Sequence, residues 1–284
     1  MVESAELRAE TNIPFIRIEP PRSWMSLGLR ELWECRELLY FLVWRDLTVR
    51  YKQSIIGIGW VVIQPLVTII VFSVIFGYFA KIPSDGLPYP VFAYAGILPW
   101  TYFATALNRC IHSVVADSHI LTKVYFPRLF LPLAGTLSGL VDFAIAFVLL
   151  LGVLVWFGIP LTWYVLIAPF FLSFALLAAL AVGLWLSAIN VRYRDVTYAV
   201  PFLVQTWMFC SPVVYPLSII PEQYRWLYNL NPMVGVIEGF RWALLGKASP
   251  DSSVMAVSAA VVLVILAGGL VFFKNMERNF ADVV

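Results

Sequence analysis

A run without charged side chains extends from Ile55 to Ala80 and limits what this chain can fold into. A helix needs about 20 apolar residues to cross a hydrocarbon core of about 30 Å, so the run is long enough to span a bilayer with some tilt. It also contains Gln64 and Thr68, polar side chains that a helix surrounded by lipid rarely carries, so we expect one face to meet something polar. Three basic residues precede the run, as is usual at a cytoplasmic helix end: Arg45, Arg50 and Lys52.

The composition of the whole chain indicates an integral membrane protein. Of its 284 residues, 61% are hydrophobic and 13% are charged, whereas an average soluble domain carries about 25% charged residues. The net charge of +2 follows membrane topology and does not indicate a nucleic-acid partner. Residues 1–30 are charged and contain prolines, so we expect no cleavable signal peptide, and we interpret residues 1–28 as a cytosolic tail.

Residues 29–53 show apolar side chains at helical spacing, with charged residues on the other side. Trp33, Tyr40 and Trp44 belong to the apolar side, whereas Arg45 and Lys52 belong to the polar side. We expect an amphipathic helix that lies in the membrane surface, because a charge-free span follows it directly. A soluble helix packed on a partner is the alternative.

Six membrane spans are predicted in an all-α permease domain that comprises residues 54–284. They are Ile55–Ala80 and, approximately, Val91–Leu107, Leu129–Phe157, Tyr164–Ile189, Val196–Leu217 and Val254–Phe273. With an even number of spans both termini lie on one side, and all but four of the 19 basic residues fall on that side. The positive-inside rule therefore predicts that both termini are cytoplasmic. The four on the opposite side are Lys81, Arg225, Arg241 and Lys247.

The connection before the last span is too apolar for a plain loop. Asn231-Pro232 is a typical helix start, with asparagine as cap and proline in the first turn. The helix that follows, Met233–Leu245, is too short to span. We therefore predict short re-entrant or outer interfacial helices over about 218–246. Glu238 and Arg241 are expected to form an ordinary helical ion pair.

Motifs for catalysis or nucleotide binding are missing from the sequence. The single Gly-Lys pair, Gly246-Lys247, lacks both the first glycine and the hydroxyl residue of a P-loop. No HExxH, GxSxG or paired carboxylates occur, and His112 and His119 have no third ligand, so we predict neither a catalytic residue nor a metal site. The three cysteines are far apart and are expected to be small buried hydrophobic residues: Cys35, Cys110 and Cys210.

Four motifs, in this order, resemble those of bacterial permeases that export O-antigen, capsule or teichoic acid polysaccharides through ABC transporters. The resemblance covers about residues 30–280. The motifs are Arg50–Ser54 leading to Gly59-Trp60 and Gln64-Pro65, Asn190–Val196, Ser211–Pro216 and Asn231–Trp242.

This resemblance implies the assembly, the cargo and the location. Such permeases are similar in having six spans, and two copies form a channel in the bacterial inner membrane. Two copies of a separate ATPase bind below and hold ATP and Mg, so no cofactor is expected in this chain. The cargo would be a glycan on a polyprenyl pyrophosphate lipid, and membrane lipid the only other contact.

Two other classes of function stay open at this point. A proton-coupled carrier would use Asp142, a single carboxylate near the middle of the third span, because acids inside a membrane are costly and often functional. A hydrogen bond at a helix interface is the structural alternative for this carboxylate. A membrane-embedded glycan enzyme is the other class, but the sequence shows no catalytic constellation for it.

We predict that spans one and five carry the channel wall, because aromatic and polar side chains recur there every three or four residues. Aromatic rings can stack on sugar faces while amides and hydroxyls bond the sugar hydroxyls; helix packing or lipid contact is the alternative. We further predict that Arg50 and Lys52 guide the lipid pyrophosphate, or else only set topology and attract anionic lipid. The channel residues are Gly57, Trp60, Gln64, Thr68, Phe72, Phe76, Phe79, Tyr198, Phe202, Gln205 and Phe209.

The loop between spans two and three is predicted to dock the ATPase, because residues 117–128 are too long and apolar for a simple turn. A short amphipathic helix ending at Pro127 would move as a rigid body; a helix lying on the membrane is the alternative. Cysteine crosslinking from Lys123 to the ATPase should therefore succeed, and failure along the whole segment would contradict the prediction. The coupling residues are Ile120, Leu121, Lys123, Val124, Tyr125 and Arg128.

Overall fold

The computed structural model describes residues 33–52, 57, 59–121, 126–246, 251–277 and 280. These residues form eleven α-helices and no strand. The helices are α1 Arg36–Lys52, α2 Gly59–Phe72, α3 Tyr89–Ala116, α4 Ser118–Leu121, α5 Phe130–Leu137, α6 Gly139–Trp156, α7 Ala168–Arg192, α8 Val196–Phe209, α9 Glu222–Asn229, α10 Pro232–Leu245 and α11 Ser252–Glu277. Three short non-α helices complete them: a π-helical segment Ser73–Phe79 and 3₁₀ turns Trp163–Ile167 and Leu217–Ile219.

Four helical segments of the described chain are long and apolar enough to cross a membrane. They match the predicted spans one, three, four and six, so the prediction of a helical membrane protein is confirmed. The segments are Gly59–Phe79, Phe130–Trp156, Trp163–Arg192 and Ser252–Glu277.

The other two predicted spans correspond to α3 and α8, and both differ from the prediction. Helix α3 is 28 residues long and extends beyond Leu107 to Ala116, with polar side chains in its last turns. Helix α8 has 14 residues and stops at Phe209, whereas the prediction continued to Leu217. The chain turns at Cys210, just before Pro212. The count of six therefore stays a prediction.

Helix α3 is the centre of the bundle. It packs against α2, α5, α6, α7, α8 and α10. Its N-terminal half is closely surrounded because small residues allow neighbours to approach: Ala93 and Ala95 are fully buried, and Gly96 lies against α10. The large rings of Tyr94 and Phe103 are also fully buried. The Tyr94 hydroxyl donates to the Ala146 carbonyl of α6 over 2.8 Å, so a polar group at this depth has a partner.

Helix α10 has the start that the sequence predicts. The Asn231 side chain accepts a hydrogen bond from the Met233 amide over 3.1 Å, Pro232 opens the helix, and Gly246 closes it with a left-handed φ of 64°. Most of the helix is buried between α3, α7 and α11, so neighbouring protein shields its backbone.

The expected ion pair between Glu238 and Arg241 is present at 3.2 Å. Arg241 is itself buried, and its guanidinium also donates to the Val213 carbonyl over 2.7 Å. It lies 3.8 Å from the centroid of the Phe92 ring, a favourable cation–π position. Arg241 thus fastens the segment after α8 to both α10 and α3.

Helix α1 has two apolar faces rather than the single one that the sequence predicts. Leu42 is buried against Phe126, Phe130 and other residues of and before α5. Trp33, Tyr40 and Trp44, in contrast, are between 59% and 71% exposed. One face therefore packs on the bundle and the aromatic face is exposed, and the interfacial location of α1 stays a prediction.

An ion pair fastens α1 to the end of α3. The Arg45 guanidinium lies 2.6 Å from the Asp117 carboxylate and 2.8 Å from that of Asp46. Burial lowers the pKa of Arg45, but the hydrogen bonds to Asp117 and Asp46 outweigh it and leave the pKa above its usual value. This pair is next to α4, so α1 and the predicted docking segment are mechanically linked.

The expectation that all three cysteines are buried is correct only for Cys110. Cys35 is partly buried and Cys210 is exposed. Cys110 fits against Gly183 of α7, where an added Cβ would lie 2.4 Å from its sulfur atom. This close approach brings α3 and α7 together.

The contact between α10 and α7 gives a test of this packing. A Cβ at Gly239 would lie 2.0 Å from the buried Phe171 ring, so Gly239→Ala should destabilise the fold by about 1–3 kcal/mol. Thermal unfolding in detergent measures the change. Gly152→Ala on α6 is the matched control, because nothing lies within 4 Å of its added Cβ. Equal melting temperatures for the two variants would contradict the packing.

Candidate functional site

A cavity of about 290 Å³ opens between α2, α3 and α6, with the end of α1 at its base. Its walls are mainly apolar, and a set of charged and hydroxyl side chains is gathered at one end. Polar lining residues are Arg50, Tyr51, Gln64, Thr68, Thr101, Thr105, Arg109 and Asp142; Trp60, Val61, Pro65, Ile97, Leu98 and Phe143 are among the apolar ones.

The base of the cavity is built on the carboxylate of Asp142. Its Oδ2 atom accepts a hydrogen bond from Arg50 Nη1 of α1 over 2.5 Å and another from Arg109 Nη2 of α3 over 2.7 Å. The side chains of the three residues are between 24% and 29% exposed, so the cluster is neither sealed in the core nor fully in solvent. A carboxylate of α6 therefore holds guanidinium groups from two other helices.

Two hydroxyl groups complete the cluster. The Tyr51 hydroxyl donates to Oδ1 of Asp142. Partial burial and the hydrogen bond to Asp142 raise the pKa of Tyr51 to about 12, so the hydroxyl keeps its proton at neutral pH and remains a donor. The Ser138 hydroxyl is buried and accepts from Arg50 Nη2 over 3.5 Å and from Arg109 Nη1 over 3.4 Å.

One face of α2 places its two polar side chains in the cavity wall. Gln64 and Thr68 are one helical turn apart and both line the cavity, with Trp60 one turn below. Thr101 and Thr105 line it from α3 with the same spacing. The cavity therefore presents amides and hydroxyls beside an aromatic ring, a combination that can contact a sugar or a lipid headgroup.

The predicted channel residues at and after the C-terminal end of α2 do not continue this wall. Phe72 and Phe76 pack against the core of the same subunit, with their ring centroids 5.3 Å apart. The helix becomes π-helical from Ser73, where the Ala80 amide donates to the Ile75 carbonyl five residues back. This wider turn interrupts the regular α-helical spacing of the predicted channel residues. The last of them, Phe79, is 72% exposed.

The predicted wall residues of α8 do not line this cavity. Tyr198 is 82% exposed and Phe202 is 70% exposed, and both point away from the buried side of the helix, which carries Val200 and Val204. Gln205 and Phe209 are exposed as well. Within one subunit the structure thus separates the two predicted faces, and their joint role stays a prediction.

The two predicted guidance residues have different environments. Arg50 is engaged with Asp142 inside the cavity, whereas Lys52 is exposed at the end of α1. A shared role in guiding a pyrophosphate stays a prediction.

The predicted docking segment is described only in part. Ile120 packs beside the cluster that joins α1 to α5, and α4 ends at Leu121, whose side chain lies outside the described residues. Lys123, Val124 and Tyr125 also lie outside them. Arg128 donates from its guanidinium to the Glu277 carbonyl at the end of α11, and its charge lies 6.0 Å from the Phe280 ring.

Sequence reasoning missed Thr101, Thr105 and Arg109 as cavity residues. Their spacing of four along α3 was a usable signal, because it places all three on one helix face. It also missed that Arg50 and Arg109 are the partners of Asp142. The signal there was a single acid in one span, an arginine in the last turn of α1 and an arginine two residues after the predicted second span.

Two of the sequence motifs meet at Asn231. Besides capping α10, its carboxamide accepts from Trp207 Nε1 over 3.0 Å. The same group donates to Ser211 Oγ over 2.9 Å and to the Cys210 carbonyl over 3.2 Å. One side chain thereby joins the end of α8, the turn after it and the start of α10, and these elements form one unit, called the Asn231 clasp below.

Comparison with known proteins agrees with these motifs. The family model described as ABC-2 type transporter matches residues 37–245. The chain is 31% identical over 259 residues to an O-antigen export system permease protein RfbA of Myxococcus xanthus, which covers 90% of this chain and 98% of that protein. It is 25% identical over 249 residues to a protein of the same name from Klebsiella pneumoniae, covering 87% and 95%. It is also 24% identical over 246 residues to the polysialic acid transport protein KpsM of Escherichia coli, covering 82% and 91%.

Thiol labelling tests whether the cavity holds water. In a background without the three native cysteines, Gln64→Cys, Thr68→Cys, Thr101→Cys and Thr105→Cys should react with a membrane-impermeant thiol reagent, because all four positions line the cavity. Ala106→Cys is the matched control, since Ala106 follows Thr105 on α3 and is fully buried. Labelling at position 106 without labelling at the other four would contradict the assignment.

Proposed function

Because this chain belongs to the ABC-2 type transporter family, we propose that it is the membrane subunit of an ATP-driven exporter of a lipid-linked polysaccharide. One observation carries the proposal: the match to an O-antigen export permease covers 98% of that protein and 90% of this chain. Four membrane-length helices support a multi-pass location in the inner membrane.

The proposed topology has six spans with both termini in the cytoplasm. Helix α3, at 28 residues, and α8 with the turn that follows it would supply the two spans beyond the four long apolar segments. In this topology α1 lies on the cytoplasmic surface with its aromatic face in the interfacial region, as the exposure of Trp33, Tyr40 and Trp44 supports. Helix α10 would be the re-entrant helix of the outer side.

The proposed assembly is a homodimer with a channel between the copies. Helix α8 carries large exposed side chains, including Tyr198 and Phe202, and α2 carries Trp60, which is 53% exposed. The Tyr198 and Phe202 rings are mostly exposed within the described part of the subunit, and a channel wall for a glycan would give them a contact. Weak contacts repeated along such a wall would let a polymer slide, since tight binding would stall it.

The ATPase would be a separate subunit that binds at the end of α3. The pair Arg45–Asp117 and the packing of Leu42 on α5 hold α1, α3 and α5 together at that end. A movement of the ATPase that displaces the docking segment would therefore move these three helices together instead of bending the chain locally. ATP and Mg would be held by that partner.

A proton-coupled carrier is less well supported by the structure than by the sequence. Its main argument was a single carboxylate inside a span, but Asp142 is engaged by both Arg50 and Arg109. These contacts match the structural alternative for this carboxylate, a hydrogen-bonded group at a helix interface.

Deletion of the gene tests the proposed function. The deletion strain should lose its surface polysaccharide and accumulate a lipid-linked glycan inside, because synthesis continues without export. The wild-type chain should restore export, and so should Arg225→Gln, whose side chain is 42% exposed on α9. In inverted vesicles glycan transport should require ATP and continue in the presence of a protonophore. Transport that the protonophore abolishes and that does not require ATP would favour the proton-coupled carrier instead.

A further inference from the structure

We infer that Arg50 and Arg109 form a binding site for a phosphate-bearing headgroup, and that Asp142 fills this site as an internal counter-ion until a phosphate displaces it. The inference rests on the proposed function, because a phosphate-linked lipid is the proposed carrier of the glycan. It goes further by placing an anion site inside one subunit and by giving Asp142 a role.

The first argument is the charge of the cluster. Two guanidinium groups share one carboxylate, so the base of the cavity keeps one uncompensated positive charge. Among the described lining residues these are the only charged side chains. Residues 53–56 and 58, which follow α1, are uncharged in the sequence and add nothing to this balance. An excess positive charge at the base of a mostly apolar cavity favours an anion.

The second argument is that donors from two helices converge on one oxygen atom. Arg50 Nη1 and Arg109 Nη2 come from different helices and donate to the same oxygen atom, Oδ2 of Asp142. A guanidinium has five N–H donors; within the described chain those of Arg109 bond Asp142 and Ser138, and those of Arg50 bond these two residues and Tyr51. Donors are therefore left over for the additional oxygens that a phosphate has and a carboxylate lacks.

The third argument is access and shape. The three charged side chains are about one quarter exposed and face a cavity of about 290 Å³. Trp60, Val61 and Ile97 provide apolar wall beside the charges, while Gln64 and Thr101 provide polar groups. A charged head with an apolar tail would match this arrangement better than a free anion would.

Displacement of Asp142 would have a mechanical consequence. Arg50 and Tyr51 belong to the last turn of α1, and both bind α6 through Asp142. A phosphate that takes over the guanidinium groups would release this end of α1 from α6. Ligand binding in the cavity would thereby loosen a contact between two helices without any change in the core.

The test uses the full-length chain in nanodiscs of phosphatidylcholine, a lipid without net charge. Farnesyl pyrophosphate, inorganic pyrophosphate and farnesol are titrated, and dissociation constants and melting temperatures are measured. Both phosphates should bind saturably and farnesol should not. Tighter binding of farnesyl pyrophosphate would support a lipid headgroup as ligand, whereas equal binding of the two would support the free anion.

Variants separate an exchangeable counter-ion from a purely structural ion pair. Asp142→Asn should lower the melting temperature, because the two arginines lose their partner, and yet strengthen phosphate binding about tenfold, because the competing carboxylate is gone. Arg109→Gln should weaken binding by about tenfold or more. Arg225→Gln is the matched control and should bind like the wild type.

Several results would overturn the inference. One is an Asp142→Asn variant that loses both stability and affinity; another is a wild-type chain that binds neither phosphate. If Asp142→Asn does not fold, equal affinities of Arg109→Gln and Arg225→Gln would also overturn it. A chain that restores export but binds neither phosphate would refute this site alone, and one that binds phosphate but does not restore export would refute only the proposed function.

Discussion

The carboxylate of Asp142 connects three helices at the point where the chain enters its first long apolar segment. Its partners come from the last turn of α1 and from the polar end of α3, while the acid itself belongs to the third predicted span. Charged groups at membrane depth are costly unless they are paired. Pairing lets the chain place Arg50 and Arg109 at the base of a cavity whose walls come from α2, α3 and α6.

How much of this arrangement the sequence predicts depends on the type of signal. Length and hydropathy find the four long spans, and the local chemistry of Asn231-Pro232 finds the start of α10. The end of α8 and the π-helical turn after α2 follow from tertiary packing, which a pattern along one helix does not contain. Gly77, for example, lies against the Tyr89 ring, where an added Cβ would be only 2.9 Å away.

The candidate site was predicted in pieces but not as a whole. Helical spacing correctly grouped Trp60, Gln64 and Thr68, because all three lie within one regular α-helix. The residues that complete the cavity come from α3 and α6, and nothing in a single sequence says which helices are neighbours. The same limit applies to α1: its spacing suggests one apolar face, but only the packing of Leu42 on α5 reveals the second.

The Asn231 clasp has a consequence for how a polymer could leave. Asn231 and Arg241 tie the turn after α8 to α10 through several hydrogen bonds, and Arg241 also lies against the Phe92 ring of α3. These contacts must break before the turn can swing as a flap. In the proposed homodimer the exit would therefore widen when the two copies move apart, and the distance between them would set its greatest width.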